Sequence, residues 1–173
     1  DAKRVYGLTP AGGFSTVVES DADILAERTM TWTPKAGYGS HAETSLAAPA
    51  TAWYLAEGAT HSGFQLYYQI QNPNTVPVDV RITYLRPPPA EPIVITYPGI
   101  AAQSRRTIYV NDQHPELASA EVSAVVTSLT DGAPIVVERA MYLDTAEGFY
   151  GAGHAGAGVP TPPPDWFLAE GAT

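Results

Sequence analysis

The sequence predicts an all-β chain: an immunoglobulin-like antiparallel β-sandwich built from a tandem repeat of about 113 residues. Three observations carry that expectation. Short runs alternate apolar and polar residues with a period of two, as half-buried strands do. Sixteen Pro and fifteen Gly interrupt the 173-residue chain too often for long helices. Several blocks of sequence recur in the same order.

The strands follow one another at the spacing of a sandwich. Phe14–Ser20 (FSTVVES) and Ile24–Met30 (ILAERTM) are apolar runs near the start. Trp53–Ala56 opens the longest series. In the next run Phe64, Leu66, Tyr68 and Ile70 alternate with Gln65, Tyr67, Gln69 and Gln71, and Asn72-Pro73-Asn74 then turns the chain. Val78, Val80, Ile82 and Tyr84 form the apolar face of a further strand, which ends at Pro87-Pro88-Pro89. Ile93–Tyr97, Arg106–Val110, Glu121–Ser128 and Ile135–Leu143 complete the set, with one helical turn expected at His114–Ala118. The Gly-, Ala- and Pro-rich stretch from Gly148 to Pro164, and its Ala-rich counterpart from Gly37 to Ala50, read as connections between successive sandwiches.

Self-comparison gives the organisation of the chain. AWYLAEGAT at 52–60 matches DWFLAEGAT at 165–173, so that Trp53 and Trp166 lie 113 residues apart. ILAERTM matches IVVERAM at 135–141, with Arg28 and Arg139 separated by 111 residues. His41 and His154 end the similar YGSH and GAGH, and FSTVVES matches VSAVVTS at 122–128. Four collinear matches divide the chain into three parts. Residues 1–50 are the second half of one repeat, 51–165 a complete repeat, and 166–173 the first strand of a third and a candidate donor strand.

Taken together, WYLAEGAT, QNPN, SRRTIYVN, VVERAMY and the following GH resemble a tandem β-sandwich repeat of secreted and cell-surface bacterial proteins. The resemblance spans nearly the whole chain. It implies an extracellular, repeated β-module; it carries no activity and no catalytic residue.

Composition narrows the function classes. With 45% apolar residues the chain can bury a core. A net charge of −9 opposes binding to a phosphate backbone or an anionic membrane surface. The absence of Cys removes disulfides, thiolate metal sites and Cys nucleophiles. No apolar run reaches the roughly 18 residues of a membrane span. No nucleophile elbow, Walker sequence or dinucleotide fingerprint is present. The residues therefore point to a protein that is not an enzyme.

The remaining polar candidates are few. His41, His61, His114 and His154 lack converging ligands, so no metal is expected. A structural Ca2+ is the one cofactor left open, at Asp21/Asp23 or Asp112/Glu116, neither of which has EF-hand spacing. Glu27-Arg28 and Glu138-Arg139 lie inside apolar strands, where adjacent residues face opposite ways and one charge of each pair turns inward. Such a charge needs a partner. The LAEGAT strands offer Glu57 and Glu170, giving a structural ion-pair set of Glu57, Arg139, Arg28 and Glu170. Trp32, Trp53 and Trp166 fit packing better than sugar stacking.

Two functions follow as expectations. The first is a subunit or segment of an extracellular filament or surface stalk, assembled head to tail. In it Trp166, Phe167, Leu168, Ala169 and Glu170 pass into an adjoining sandwich of an identical copy, or of the next repeat in the same chain. The second is a cell-surface adhesion or carbohydrate-binding module. Nucleic acid and a membrane span are expected in neither.

Overall fold

The computed structural model describes residues 13–33, 39–145 and 148–167. Ten strands are present: β1 (Glu27–Trp32), β2 (Gly39–Thr44), β3 (Ala52–Leu55), β4 (Phe64–Asn72), β5 (Val78–Leu85), β6 (Ile93–Ile100), β7 (Ser104–Tyr109), β8 (Ser123–Ser128), β9 (Val136–Thr145) and β10 (Gly148–Ala157). Every strand pair is antiparallel. One sheet runs β10-β9-β4-β7 and the other β3-β8-β5-β6, while β1 and β2 form a separate hairpin. The two four-stranded sheets make a β-sandwich that takes all eight strands from residues 52–157.

The alternation read from the sequence is the alternation of burial. In β5, Val78, Val80, Ile82 and Tyr84 are buried, while Asp79 and Arg81 are exposed. In β4, Leu66, Tyr68, Ile70 and Asn72 point into the core. Tyr68 and Tyr84 stack across the two sheets with ring centroids 6.1 Å apart. Trp53 is fully buried, and its indole N–H donates to the Ile135 carbonyl at 2.8 Å. That bond satisfies the ring's one polar group inside the core.

Two buried or half-buried Asn side chains organise the ends of the sheets. Asn72 Nδ2 donates to the carbonyls of Val76, Ile100 and Ala101, and its Oδ1 accepts from Asn74 N. Asn72 thus shapes the turn after β4 and ties it to the end of β6. Asn111, in a 3₁₀ turn at Val110–Asp112, accepts from Leu66 N and donates to the Phe64 carbonyl. A second 3₁₀ turn at Pro115–Leu117 occupies the expected helical turn, with His114 Nδ1 accepting from Glu116 N.

Two expectations require correction, and one recurring block behaves unlike its match. Gly148–Ala157 is not a connection between sandwiches; it is β10, the edge strand paired with β9. Its small residues serve close packing: a Cβ on Gly153 would lie 2.7 Å from the Trp32 ring. Within the counterpart stretch, Gly39–Thr44 is likewise a strand, β2. Phe14–Ser20 forms no strand and lies exposed, although its match, Ser123–Ser128, is an inner strand of a sheet. An apolar run becomes a strand only where a neighbour takes up its backbone hydrogen bonds.

Candidate assembly interface

Two surfaces bring together the residues singled out above. The first lies where the β1–β2 hairpin covers the outer face of the β10-β9-β4-β7 sheet. Side chains alternate along β9, so Val137, Arg139 and Met141 turn inward while Glu138, Ala140 and Tyr142 face out. Opposite them on β10 stand Ala157, Ala155 and Gly153. This shallow strip receives Arg28, Trp32, His41 and Glu43 from the hairpin. Arg28 Nη1 lies 2.6 Å from Glu138 Oε2. Glu43 Oε2 accepts from Ala157 N at 3.2 Å. Trp32 Nε1 donates to the Tyr150 carbonyl at 2.8 Å.

An aromatic row underlies the hairpin. Trp32 meets Tyr142 edge-on at 5.3 Å, Tyr142 meets Tyr67 at 5.9 Å, and Tyr67 stacks on Tyr109 at 4.9 Å. The Tyr67 and Tyr150 hydroxyls are 2.8 Å apart. Tyr150 has φ 55°, a left-handed conformation that costs a non-glycine residue energy. Its N–H donates to Asp144 Oδ1 at 3.0 Å, which together with the Tyr67 contact holds it there. Burial, with the Tyr150 hydrogen bond, pushes the Tyr67 phenol far above the ordinary tyrosine range. His41 is buried in the contact, 3.2 Å from the Tyr142 hydroxyl. Burial first, and then the Arg28 cation and His154, hold it below the ordinary histidine value.

The second surface is the edge of β3. Five of the six LAEGAT residues at 55–60 have a structural task. Leu55 is in the core. The Glu57 carbonyl accepts from Arg139 Nη1. Gly58 passes so close to the core that a Cβ would sit 2.8 Å from Leu66 Cδ2. Ala59 bridges Glu121, and the Thr60 hydroxyl accepts from Ala120 N at 2.8 Å. Arg139, buried within the sandwich, also donates from Nη2 to His154 Nδ1 at 3.0 Å. Arg139 Nη1 lies 3.5 Å from the Glu57 carboxylate, which is largely exposed. The shorter contact is therefore to the Glu57 backbone.

Arg28 is placed with Glu138. Glu170, Leu168 and Ala169 lie outside the described residues. Trp166 and Phe167 are exposed and belong to no strand. Trp166 stands at the rim of an open groove of about 570 Å3, whose walls include Tyr54, Glu57, Leu85, Val125 and Val159. Tyr54 exchanges both backbone hydrogen bonds with Val159, at 2.9 Å each.

Of the acidic pairs considered for Ca2+, Glu116 binds Arg86 at 2.6 Å, Asp112 accepts from the Gln113 side chain, and Asp21 and Asp23 are exposed. Among the described residues no three His, Asp or Glu side chains are gathered as metal ligands. No helix among them is long and apolar enough to cross a membrane. Tyr67, Tyr109, Tyr142 and Tyr150 were not singled out in the sequence. The available signal was large aromatics, such as Tyr67, at positions facing away from the core.

No family model matches the chain, and no curated protein matches it. Among solved structures it is similar to that of Thermotoga maritima 1070, with a TM-score of 0.56 and 14% identity over 64% of this chain and 94% of the other. It is also similar to the Anabaena sensory rhodopsin transducer, with a TM-score of 0.42 and 26% identity over 55% and 99% of the two chains. At 14% identity the first likeness concerns the fold alone.

Proposed function

We propose that this chain is a structural segment of an extracellular fibre or surface stalk, made from tandem copies of one immunoglobulin-like sandwich and joined head to tail. It is not an enzyme in this reading, and its partners are adjoining repeats or identical copies. The observation that carries the reading is the relation between the two hairpins. In β1–β2 Met30 stands opposite His41, and in β9–β10 Met141 stands opposite His154. Arg28 and Arg139 occupy the same place two residues earlier, facing Glu43 and Gly156. The hairpins are thus the same sequence element in the same register, and the first is seated on the second. Contact between equivalent elements of successive units is what a one-dimensional repeat array requires. A head-to-tail contact that does not close into a ring gives a filament.

The adhesion reading draws less support. Trp53 is spent in the core and Trp32 between layers, which leaves Trp166 as the exposed tryptophan among the described residues. Sedimentation velocity over a wide concentration range, with electron microscopy of the native material, tests the proposal. Polymers whose axial repeat is about one sandwich are expected. A chain that stays monomeric throughout and retains a glycan would overturn it.

A further inference from the structure

We infer that the β1–β2 hairpin is an exchanged arm: in the assembled protein it leaves its own sandwich and seats on the β9–β10 strip of a second copy. The inference rests on the proposed head-to-tail assembly and names the surfaces that join separate chains.

The contact is made by side chains, with no ladder between hairpin and sheet. Arg28 reaches Glu138, Trp32 donates to the Tyr150 carbonyl, His41 meets the Tyr142 hydroxyl, and Glu43 accepts from Ala157 N. The hairpin groups all lie in residues 28–43, and the receiving groups all lie in residues 138–157. The sandwich that carries the receiving groups takes no strand from the hairpin. The same bonds therefore form whether the hairpin belongs to the same chain or to another. Arg28 keeps Glu138, and Trp32 keeps its place over Gly153, in either case. No charge is stranded and no new surface is required.

The attachment of the arm to its own sandwich is slight. Its last backbone bond runs from Ser45 N to the Ala26 carbonyl, and the sandwich takes up the chain again at Ala50, which exchanges both hydrogen bonds with Ile135. Leu46–Pro49 lies between. Ala47, Ala48 and Pro49 are exposed, and Leu46 is the residue of the link that packs against the core. The chain bends at Ala47 and Ala48, directly ahead of a proline, whose ring favours an extended residue before it. Straightening this link swings the arm outward at the loss of the Leu46 contact. Ahead of β1, residues 14–25 are exposed, so burial does not hold the arm from that side.

Each copy has one arm and one strip. These are different surfaces, so an exchange passed from copy to copy adds units in one direction, as a fibre requires. Closure of the arm on its own chain competes, because a short link holds it at a high effective concentration. Assembly is therefore concentration-dependent.

Complementation separates the two ways of docking. The full chain carrying Gly153→Val has a blocked strip and an intact arm, since a Cβ there lies 2.7 Å from the Trp32 ring. The full chain carrying Trp32→Ala has an intact strip and a crippled arm. Alone, each should assemble at least about tenfold more weakly than wild type in sedimentation velocity, as expected when an interface loses an aromatic anchor. Mixed, they should give a one-to-one complex, the arm of the first on the strip of the second. Glu138→Arg, an outward-facing change that meets Arg28 with a like charge, takes the place of Gly153→Val where the added methyls unfold the chain. It should complement Trp32→Ala in the same way. Mixtures that stay monomeric, or single variants that assemble as wild type does, overturn the exchange; wild type that still polymerises then leaves head-to-tail assembly standing through another surface. Wild-type chain that is monomeric at every concentration overturns both.

Discussion

Arg139 shows how one buried charge is accommodated. Its guanidinium is shared between the Glu57 carbonyl and His154, and the Glu57 carboxylate stands farther off in solvent. Arg139→Met would leave the part-buried Glu57 carbonyl and His154 Nδ1 without their donor. A loss of about 2–4 kcal/mol is expected in denaturant unfolding. Glu57→Gln should change stability by less than about 0.5 kcal/mol, since an exposed ion pair contributes little. An equal loss in both variants would mean that the carboxylate, not the backbone, is the partner that matters. Gly58→Ala tests the LAEGAT strand in another way. The added methyl meets Leu66 Cδ2 at 2.8 Å and the Val122 carbonyl at 3.2 Å. Overpacking of that kind costs about 1–3 kcal/mol, to be read as a lower urea midpoint. The sequence identified Arg139 as a charge in need of a partner, but it could not distinguish a side-chain carboxylate from a backbone carbonyl on the same residue. That choice depends on where the strand passes.

The β1–β2 hairpin is held to the sandwich by side chains and a few backbone groups, with no strand ladder between them. It should therefore come away without unfolding what lies beneath. Trp32→Ala removes the bond to Tyr150 and the ring packed on Gly153. Faster amide exchange in Gly39–Thr44 is expected, with a shift in the main melting transition of less than about 4 °C. Loss of the whole transition would show that the hairpin belongs to the cooperative unit. His41 gives the same contact a pH dependence. Its proton affinity is lowered in the docked state, so the released hairpin binds more protons. Docking is then at full strength above about pH 6.5, the ordinary histidine value. It weakens as pH falls through that value toward the lowered one. Trp32 fluorescence in a Trp166→Phe background reads this directly, since Trp53 stays buried. Arg28, Glu43, Glu138, His154 and Tyr142 face the same site, and replacing His41 by Gln should remove the inflection while they remain. Gly and Ala on β10 looked like a linker in the sequence because composition alone does not say whether small residues avoid structure or permit close approach.

At the scale of the whole molecule, the sandwich is complete in residues 52–157. Strand sharing is therefore not needed to close it. Phe14, Val18, Ile24 and Met30 are exposed, whereas Val122, Val126, Ile135 and Met141 in the matching blocks are buried. If apolar contact joins successive units of the proposed fibre, assembly should strengthen with salt, because copies with a net charge of −9 repel one another and ionic strength screens exposed charges. Light scattering at 0.05 M and 0.5 M salt tests this. Weaker assembly at high salt would point to attraction between opposite charges, not apolar contact.

The sequence by itself determined which residues alternate, where turns fall, and that blocks recur with a near-constant offset. These are local or self-comparing properties, and period-two runs with Pro and Gly between them suffice to state an all-β sandwich. Tertiary structure alone decided the rest. It made β10 a strand, left Phe14–Ser20 outside the strands of the described residues, and gave Arg139 a backbone partner. It also gathered Trp32, His41, Tyr67, Tyr142 and Tyr150 at one contact. The physical reason is the same in each case: a strand exists only with a neighbour, and a polar or aromatic side chain takes its role from groups that lie far away along the chain.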